Sequence, residues 1–292
     1  MKIGVAGLGL MGSAMANRLL KTGFDLAVYN RGKTKAEKFE GRAKIVDTPA
    51  GLANHCDLIF TVVTDFDALG EILTGDQGIS SLGRSDLIVA DASTISPSQS
   101  QSCAAVLRER GVEMLGMPVM GGPLAAETGE LVPIVSGSKA AFEKSRTIIE
   151  ALGKKIFYLG DKDGAANAVK LALNLNIALV ASAVSEGITL VRGAGIDPSI
   201  FIQILNSTYF KTGLSEKKGP KMASGEFEPS FHLKNMLKDL ELATSTALAE
   251  KITLPQTALA QQIFRAANNS GYSEMDYTAV CAFLAKINGM KT

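Results

Sequence analysis

Residues 2–12 have the sequence KIGVAGLGLMG, an apolar run that leads directly into the pattern GxGxxG at Gly7, Leu8, Gly9, Leu10, Met11 and Gly12. Glycines at these three positions permit a tight turn, a close approach of the backbone to a pyrophosphate and close packing of the next helix. The pattern alone is weak evidence, because in a chain with 29 glycines roughly 0.3 such patterns are expected by chance. Its place between a strand and a helix predicts a dinucleotide-binding loop rather than an ordinary tight turn.

The first 160 residues alternate short runs of Val, Ile and Leu with helical segments. Strands that are apolar almost without interruption are typical of a parallel sheet covered on both faces. Helices are predicted at Ser13–Lys21, Phe66–Leu73 and Pro97–Arg110. This alternation predicts an α/β fold with an N-terminal Rossmann-type, doubly wound sheet. The predicted strands are Lys2–Ala6, Asp25–Tyr29, Leu58–Val63, Leu87–Ala90, Glu113–Leu115, Pro133–Val135 and Ile156–Leu159.

The pattern changes after Gly164. Residues 165–186 contain no glycine and no proline, which predicts one helix of roughly 33 Å. The segments from there to Thr292 are helix-like, and no strand pair is evident. We therefore expect a dinucleotide-binding Rossmann domain over residues 1–163 and an all-α domain over residues 164–292. A long interdomain helix over about residues 165–192 leads into the second domain.

Composition excludes several classes of protein. The formal net charge is +1 and basic residues are dispersed, so we expect no nucleic-acid partner. Three cysteines without a CxxC pair fit a reducing compartment, and two histidines without ligand spacing predict no metal site. The apolar stretch Leu171–Val184 is too short and too polar for a membrane span, and no export signal is seen at the N-terminus. We expect a cytoplasmic protein with no membrane partner.

The end of the second predicted strand indicates which dinucleotide is bound. NAD sites usually place a carboxylate there for the ribose 2′-hydroxyl, whereas an arginine suits the 2′-phosphate of NADP. Asn30 removes the repelling acid, and Arg31 offers a planar set of donors for a phosphate. Lys35 adds further positive charge. The sequence predicts NADP rather than NAD; the alternative is that these basic side chains are simply solvated.

Lys170 and Asn174 lie four residues apart on the predicted long helix and therefore share one of its faces. Ala, Leu and Val surround them, so a lysine here would be partly desolvated. Desolvation lowers the pKa of an amine from about 10.4 toward values useful for proton transfer. From periodicity alone, the stronger alternative is a lysine whose ammonium group extends into water.

Several motifs, in this order and spacing, resemble the β-hydroxyacid dehydrogenase family. This family includes 3-hydroxyisobutyrate dehydrogenases, tartronate semialdehyde reductases and the NADPH-dependent glyoxylate/succinic semialdehyde reductases, the branch that this chain resembles most. The resemblance implies NADPH-dependent reduction of a short-chain semialdehyde or 2-oxo acid by a homodimer or homotetramer. The motifs are the glycine loop GLGLMG, Asp91-Ala92-Ser93-Thr94, the segment Met117–Gly122, Gly164 with Lys170 and Asn174, and Lys238-Asp239.

The resemblance also implies residue roles. Lys170 would be the general acid/base and Asn174 would support it. Gly121 and Gly122 would offer backbone N–H groups to the substrate carboxylate, and Thr94 would lie against nicotinamide and substrate. The other substrate contacts implied are Met120, Phe231, which closes over the site, and Asp239; the cofactor contacts are Gly7, Leu8, Gly9, Leu10, Met11, Gly12, Asn30, Arg31, Lys35, Val63, Thr94 and Lys238.

The loop Gly116–Gly122 departs from the family pattern, which has an acid in place of Gly116 and a serine in place of Met120. Losing one hydrogen bond to a charged group weakens binding by about 1.5–3 kcal/mol. Either the substrate is bulkier and more apolar than glyoxylate, or the backbone donors suffice. Two other functions stay open: oxidation of a 3-hydroxyisobutyrate-type hydroxyacid, and a non-catalytic NADP(H)-binding regulatory protein, which only Met120 favours.

Overall fold

The computed structural model describes residues 1–290. The chain divides into two compact units, Met1–Lys170 and a second that begins at Leu171. The boundary therefore falls inside the long helix, a few residues after the expected start of the second domain at residue 164.

The first unit is built on one sheet with the strand order β3-β2-β1-β4-β5-β6-β8-β7, and β9 pairs with β8. Strands β1 to β6 pair in parallel, whereas β8 is antiparallel to both β6 and β7. This order confirms the doubly wound fold. The strands are β1 Ile3–Ala6, β2 Leu26–Tyr29, β3 Lys44–Ile45, β4 Leu58–Thr61, β5 Ile88–Asp91, β6 Glu113–Gly116, β7 Val119–Met120, β8 Val132–Gly137 and β9 Phe157–Tyr158.

Helices cover both faces of this sheet, so successive residues of one strand enter different cores. Val5, Val28 and Phe60 belong to one buried cluster, whereas their neighbours Ala27 and Ile59 belong to another. Strands buried on both faces explain the continuous apolar runs of the sequence. The helices of this unit are α1 Leu10–Lys21, α2 Lys33–Glu37, α3 Pro49–His55, α4 Phe66–Thr74, α5 Pro97–Glu109, α6 Pro123–Thr128 and α7 Lys139–Leu152.

The structure adds elements that the sequence prediction did not include. Helix α7 is the longest of them, with 14 residues. The sequence carried a signal for it, because Ser138 is a favoured N-cap residue and the apolar Phe142 and Ile149 follow seven positions apart. In the structure Ser138 accepts a hydrogen bond from the Ala141 N–H, and Phe142 and Ile149 are buried. Strand β7 has only two residues, and pairing with β8 rather than local periodicity makes it a strand.

The second unit is helical. Helix α8, Ala165–Gly193, has 29 residues, which corresponds to about 44 Å. The core of the second unit contains Ala178, Leu240, Phe264 and Val280. The remaining helices are α9 Pro198–Asn206, α10 Gly213–Lys217, α11 Gly219–Ser224, α12 Leu233–Ala249, α13 Pro255–Ala267 and α14 Val280–Ile287.

By length and composition alone, α8 could cross a membrane, with a mean hydropathy of 1.6 over its most apolar window. The helix is longer than the stretch Leu171–Val184 on which the expectation of no membrane span rested. One such helix is weak evidence, since the core helix of a soluble protein passes the same test. Ala178, Ala181 and Ile188 of α8 are completely buried in the protein, and 33% of the apolar window as a whole is buried.

Candidate functional site

The glycine loop joins β1 to α1. Gly7 has φ +98°, and a Cβ on this residue would collide with the Val62 carbonyl; a Cβ on Gly12 would collide with the Gly7 carbonyl. Gly9 differs from both, because nothing lies within 4 Å of the position of its Cβ. Gly9 is also the N-cap of α1, whose first backbone N–H groups have no helical acceptors. The loop therefore presents unobstructed backbone donors at a helix N-terminus, which fits a pyrophosphate.

Asn30 connects this loop to the turn after β2. Its Oδ1 accepts a hydrogen bond from the Leu8 N–H at 2.8 Å, and its Nδ2 donates to the Gly32 carbonyl at 2.8 Å. An aspartate could accept the first bond but could not donate the second. Arg31 and Lys35 follow as exposed side chains. The turn after β2 thus presents a neutral amide and an exposed guanidinium, and neither repels a phosphate group.

Buried polar side chains fix the carboxyl ends of β4 and β5. Thr61 Oγ1 donates to Asp91 Oδ1 at 2.7 Å, and both residues are fully buried. The Val63 N–H donates to Ser93 Oγ at 3.0 Å, and the Ser93 N–H donates to Asp91 Oδ1 at 3.2 Å. These bonds hold the turn that carries Thr94. Sequence reasoning gave Asp91 and Ser93 no role, although a carboxylate at the end of an apolar strand was an available signal.

The loop after β7 carries Gly121 and Gly122, both exposed. Gly121 has φ +118°, and a Cβ there would lie 2.9 Å from Leu131 Cδ2 and 3.0 Å from Ala125 Cβ. Only glycine suits this position, because both the left-handed backbone and the close neighbours disfavour a side chain. Nothing lies within 4 Å of a Cβ on Gly122. The backbone of this loop is therefore accessible to a ligand.

Lys170 is half-buried, and its ammonium group contacts strand β7, directly before this loop. Nζ donates a hydrogen bond of 2.8 Å to the Val119 carbonyl and lies 3.3 Å from Met120 Sδ. The side chain thus packs against the protein rather than extending into water. An ammonium group, which is chemically able to donate a proton, is thereby held at strand β7, whose next residue is Gly121.

In the second unit, Asn174 Nδ2 donates a hydrogen bond of 2.5 Å to Asp239 Oδ2. Lys238 Nζ forms an ion pair of 2.8 Å with Asp239 Oδ1. Asn174 and Asp239 are 4% and 1% exposed, so this bond forms away from bulk water. Asp239 therefore orients the amide of Asn174, while Lys238 balances the buried negative charge.

The segment that carries Phe231 is held by a buried carboxylate. Asp276 Oδ2 accepts hydrogen bonds from the Ser230 N–H at 3.0 Å, the Phe231 N–H at 3.4 Å and Lys218 Nζ at 2.6 Å. The ring of Phe231 packs edge-on against Tyr277, with centroids 6.2 Å apart. Burial raises the pKa of Asp276, but the hydrogen bonds from Lys218 and Ser230 outweigh it, and the pKa lies below its usual value. Sequence reasoning missed both Lys218 and Asp276.

The predicted site residues fall into two groups. Lys170 is one helical turn from Asn174, so these two residues share a face of α8. The first unit contains the glycine loop, Asn30, Arg31, Lys35, Val63, Thr94, Met120, Gly121, Gly122 and Lys170; the second contains Asn174, Phe231, Lys238 and Asp239.

Within residues 1–290, no cluster of three His, Cys, Asp or Glu side chains is arranged to hold a metal ion.

Two family models match the chain in succession. Residues 2–160 match the NAD binding domain of 6-phosphogluconate dehydrogenase. Residues 164–284 match the model described as NAD-binding of NADP-dependent 3-hydroxyisobutyrate dehydrogenase.

Curated proteins and solved structures resemble the chain over nearly its whole length. The 2-hydroxy-3-oxopropionate reductase of Escherichia coli is 33% identical, covering 96% of this chain and 96% of that protein. The chloroplastic glyoxylate/succinic semialdehyde reductase 2 of Arabidopsis thaliana is 31% identical, covering 95% of this chain and 78% of that protein. The structure of Psf3 in complex with NADP+ and 2-OPP is 25% identical with a TM-score of 0.89, covering 97% of this chain and 99% of that one.

Proposed function

The chain belongs to the β-hydroxyacid dehydrogenase family and is an NAD(P)-dependent dehydrogenase of a small-molecule substrate; on this premise we propose that it reduces a short-chain semialdehyde or 2-oxo acid to the hydroxyacid, with NADPH as its preferred cofactor. One observation carries the proposal. The ammonium group of Lys170 is held 2.8 Å from the carbonyl of Val119 in strand β7, and this strand leads directly into Gly121 and Gly122. This contact supports the proposal that Lys170 donates the proton while the Gly121 and Gly122 N–H groups bind a carboxylate.

The residues of the first unit fit a nicotinamide dinucleotide phosphate. Gly9 leaves room for the pyrophosphate, and the start of α1 supplies backbone donors. Asn30 and Arg31 suit the 2′-phosphate, with Lys35 as further positive charge, while Val63, Thr94 and Lys238 complete the proposed contacts. When bound, the nicotinamide supplies the hydride of the reaction.

The protein's own groups bind the substrate and deliver the proton. The Gly121 and Gly122 N–H groups hold the substrate carboxylate. Lys170 gives a proton to the carbonyl oxygen as the carbonyl carbon is reduced, and it regains that proton from solvent. In the oxidative direction, neutral Lys170 takes the hydroxyl proton. Asn174 supports Lys170 from the next turn of α8, and Phe231 and Asp239 are proposed as further substrate contacts.

A second direction of reaction is favoured by one finding. The family model that matches residues 164–284 is named after NADP-dependent 3-hydroxyisobutyrate dehydrogenase. This name suggests oxidation of a β-hydroxyacid with NADP+. The same site serves both directions, because Lys170 is acid in one and base in the other.

The test follows nicotinamide absorbance with purified protein. NADPH and NADH are each combined with glyoxylate, succinic semialdehyde, methylmalonate semialdehyde and tartronate semialdehyde, and NADP+ with the corresponding hydroxyacids. We expect turnover with at least one semialdehyde and faster turnover with NADPH than with NADH. Tight NADPH binding without turnover of any of these compounds would instead support a non-catalytic NADP(H)-binding regulatory protein.

We also propose that the protein works as a homodimer or homotetramer in the cytoplasm. Its second unit exposes large apolar side chains such as Leu190, Ile204 and Phe210, which a second subunit could cover. Cys56, Cys103 and Cys281 are free, buried thiols, as expected in a reducing compartment. Light scattering coupled to size-exclusion chromatography measures the molar mass and thus the oligomeric state. A monomeric mass at micromolar concentration would contradict a homodimer or homotetramer.

A further inference from the structure

We propose that Met120 determines substrate specificity: it selects carbonyl acids with an alkyl group, rather than a hydroxyl group, on the carbon between the carboxylate and the carbonyl. This inference rests on the proposed function, because it takes Lys170 as the proton donor and the Gly121 and Gly122 N–H groups as the carboxylate site.

The position of Met120 follows from its place in the chain and from one contact. Its backbone continues directly into Gly121, and its Sδ lies 3.3 Å from Lys170 Nζ. A substrate whose carboxylate binds at Gly121 and whose carbonyl oxygen reaches Lys170 must therefore pass the Met120 side chain. The atoms that pass it are the ones that join the carboxylate to the carbonyl.

The backbone of this residue is fixed. In the β7–β8 pair, Met120 lies opposite Val132 and Val119 opposite Pro133. The Val119 carbonyl holds the Lys170 ammonium group, and Gly121 is confined by Leu131 and Ala125. Met120 therefore cannot slide along the strand without breaking these contacts.

The chemistry of a thioether decides what it accepts as a neighbour. Methionine sulfur is a weak acceptor and never a donor, whereas a serine hydroxyl does both. A substrate hydroxyl beside Met120 loses the hydrogen bonds that it had in water, and a methyl group gains apolar contact. Because the sulfur is a weak acceptor, its contact with Lys170 competes little with an incoming carbonyl oxygen.

Two substrates isolate this difference. Methylmalonate semialdehyde and tartronate semialdehyde share a carboxylate and an aldehyde, and they differ by a methyl or a hydroxyl group on the carbon between them. For the wild-type protein with NADPH, we expect kcat/KM to favour the methyl compound by about tenfold to a hundredfold.

Two variants separate polarity from size. Met120→Ser should lower this ratio by at least about tenfold, chiefly by raising kcat/KM for tartronate semialdehyde. Met120→Leu keeps an apolar side chain of similar volume and should keep the wild-type ratio. The NADPH dissociation constant of each variant shows whether the first unit is folded.

The outcomes distinguish the two proposals. Equal or better use of the hydroxyl compound by the wild type overturns the role of Met120 without any variant. An unchanged ratio in Met120→Ser, with NADPH binding intact, also overturns it while leaving the reductase function in place. Absence of turnover with both compounds overturns the proposed function and this inference with it.

Discussion

Asn174 donates its side-chain amide to Asp239 in a buried hydrogen bond of 2.5 Å between α8 and α12. The partner of an amide determines which of its atoms faces a ligand, so Asp239 fixes the orientation of Asn174. This assigns Asp239 a positioning role toward a residue on the lysine face of α8, in addition to the substrate contact that the family resemblance implies.

Replacing Asp239 by asparagine should therefore destabilise the second unit and reduce turnover. The variant loses a charge-assisted hydrogen bond and leaves Lys238 without its carboxylate, at a cost of about 1.5–3 kcal/mol. Urea unfolding monitored by circular dichroism measures the change. The control is Glu241→Gln on the same helix: Glu241 forms an exposed ion pair with Arg265 at 3.0 Å, and its loss should cost less than about 1 kcal/mol. Equal effects of the two substitutions would contradict the role of Asp239.

Asn30→Asp should weaken NADPH binding by at least about tenfold while changing NADH binding much less. The new charge repels the 2′-phosphate, and the donor to the Gly32 carbonyl is lost. Arg31→Ala is the companion variant, because it removes positive charge without changing the contact between Asn30 and Leu8. Fluorescence titration gives both dissociation constants. If Asn30→Asp weakens NADH and NADPH equally, Asn30 only shapes the glycine loop.

Two glycine substitutions should have opposite effects. Gly12→Ala brings a Cβ into the Gly7 carbonyl and should destabilise the first unit by more than about 2 kcal/mol. Gly9→Ala meets no atom within 4 Å and has an ordinary backbone conformation, with φ −69°. Its stability should stay within about 0.5 kcal/mol of wild type, while pyrophosphate binding is obstructed. Thermal unfolding with and without NADPH measures both properties. Undiminished NADPH binding by Gly9→Ala would contradict the assignment of the loop.

Asp276 makes the second unit sensitive to acid. Its pKa is lowered on folding, because hydrogen bonds from Lys218 and Ser230 outweigh the effect of burial. A lowered pKa contributes stability above the unfolded-state value of about 3.9, and this contribution is lost as pH falls through the lower folded-state pKa. At pH 7, Asp276→Asn should therefore be less stable than wild type by about 1.5–3 kcal/mol. The difference should shrink below about pH 4.

Denaturant titrations at pH 7 and pH 3 test this dependence. A difference between wild type and variant that stays constant with pH would show that packing, not charge, stabilises this cluster. Because Asp276 holds the Phe231 N–H, the variant should also raise KM for the semialdehyde more than it lowers kcat.

Local pattern accounts for most of the fold. The glycine loop, the continuous apolar strands and the interval without glycine or proline after Gly164 each depend on neighbouring residues, and β1, α1 and α8 follow from them. The two-residue strands β3 and β7 have no such pattern, because their strand conformation comes from pairing with β2 and β8.

The site was predictable only in part, because some of its contacts join residues that are far apart in the sequence. Lys170 and Asn174 are visible as one face of a helix. The contact of Lys170 with Met120 joins residues 50 positions apart, and that of Lys218 with Asp276 joins residues 58 apart. No periodicity encodes contacts of that range, since they arise only when the sheet and the helices are assembled.

Lys170→Ala tests the central claim most directly. With NADPH and the best semialdehyde of the panel, kcat/KM should fall by about 10²–10⁴-fold while the NADPH dissociation constant changes by less than about twofold. Lys154→Ala, which removes an exposed lysine of the same unit, should leave both values unchanged. Activity of the Lys170→Ala protein within about tenfold of wild type, with NADPH binding intact, would contradict its assignment as the proton-transfer residue.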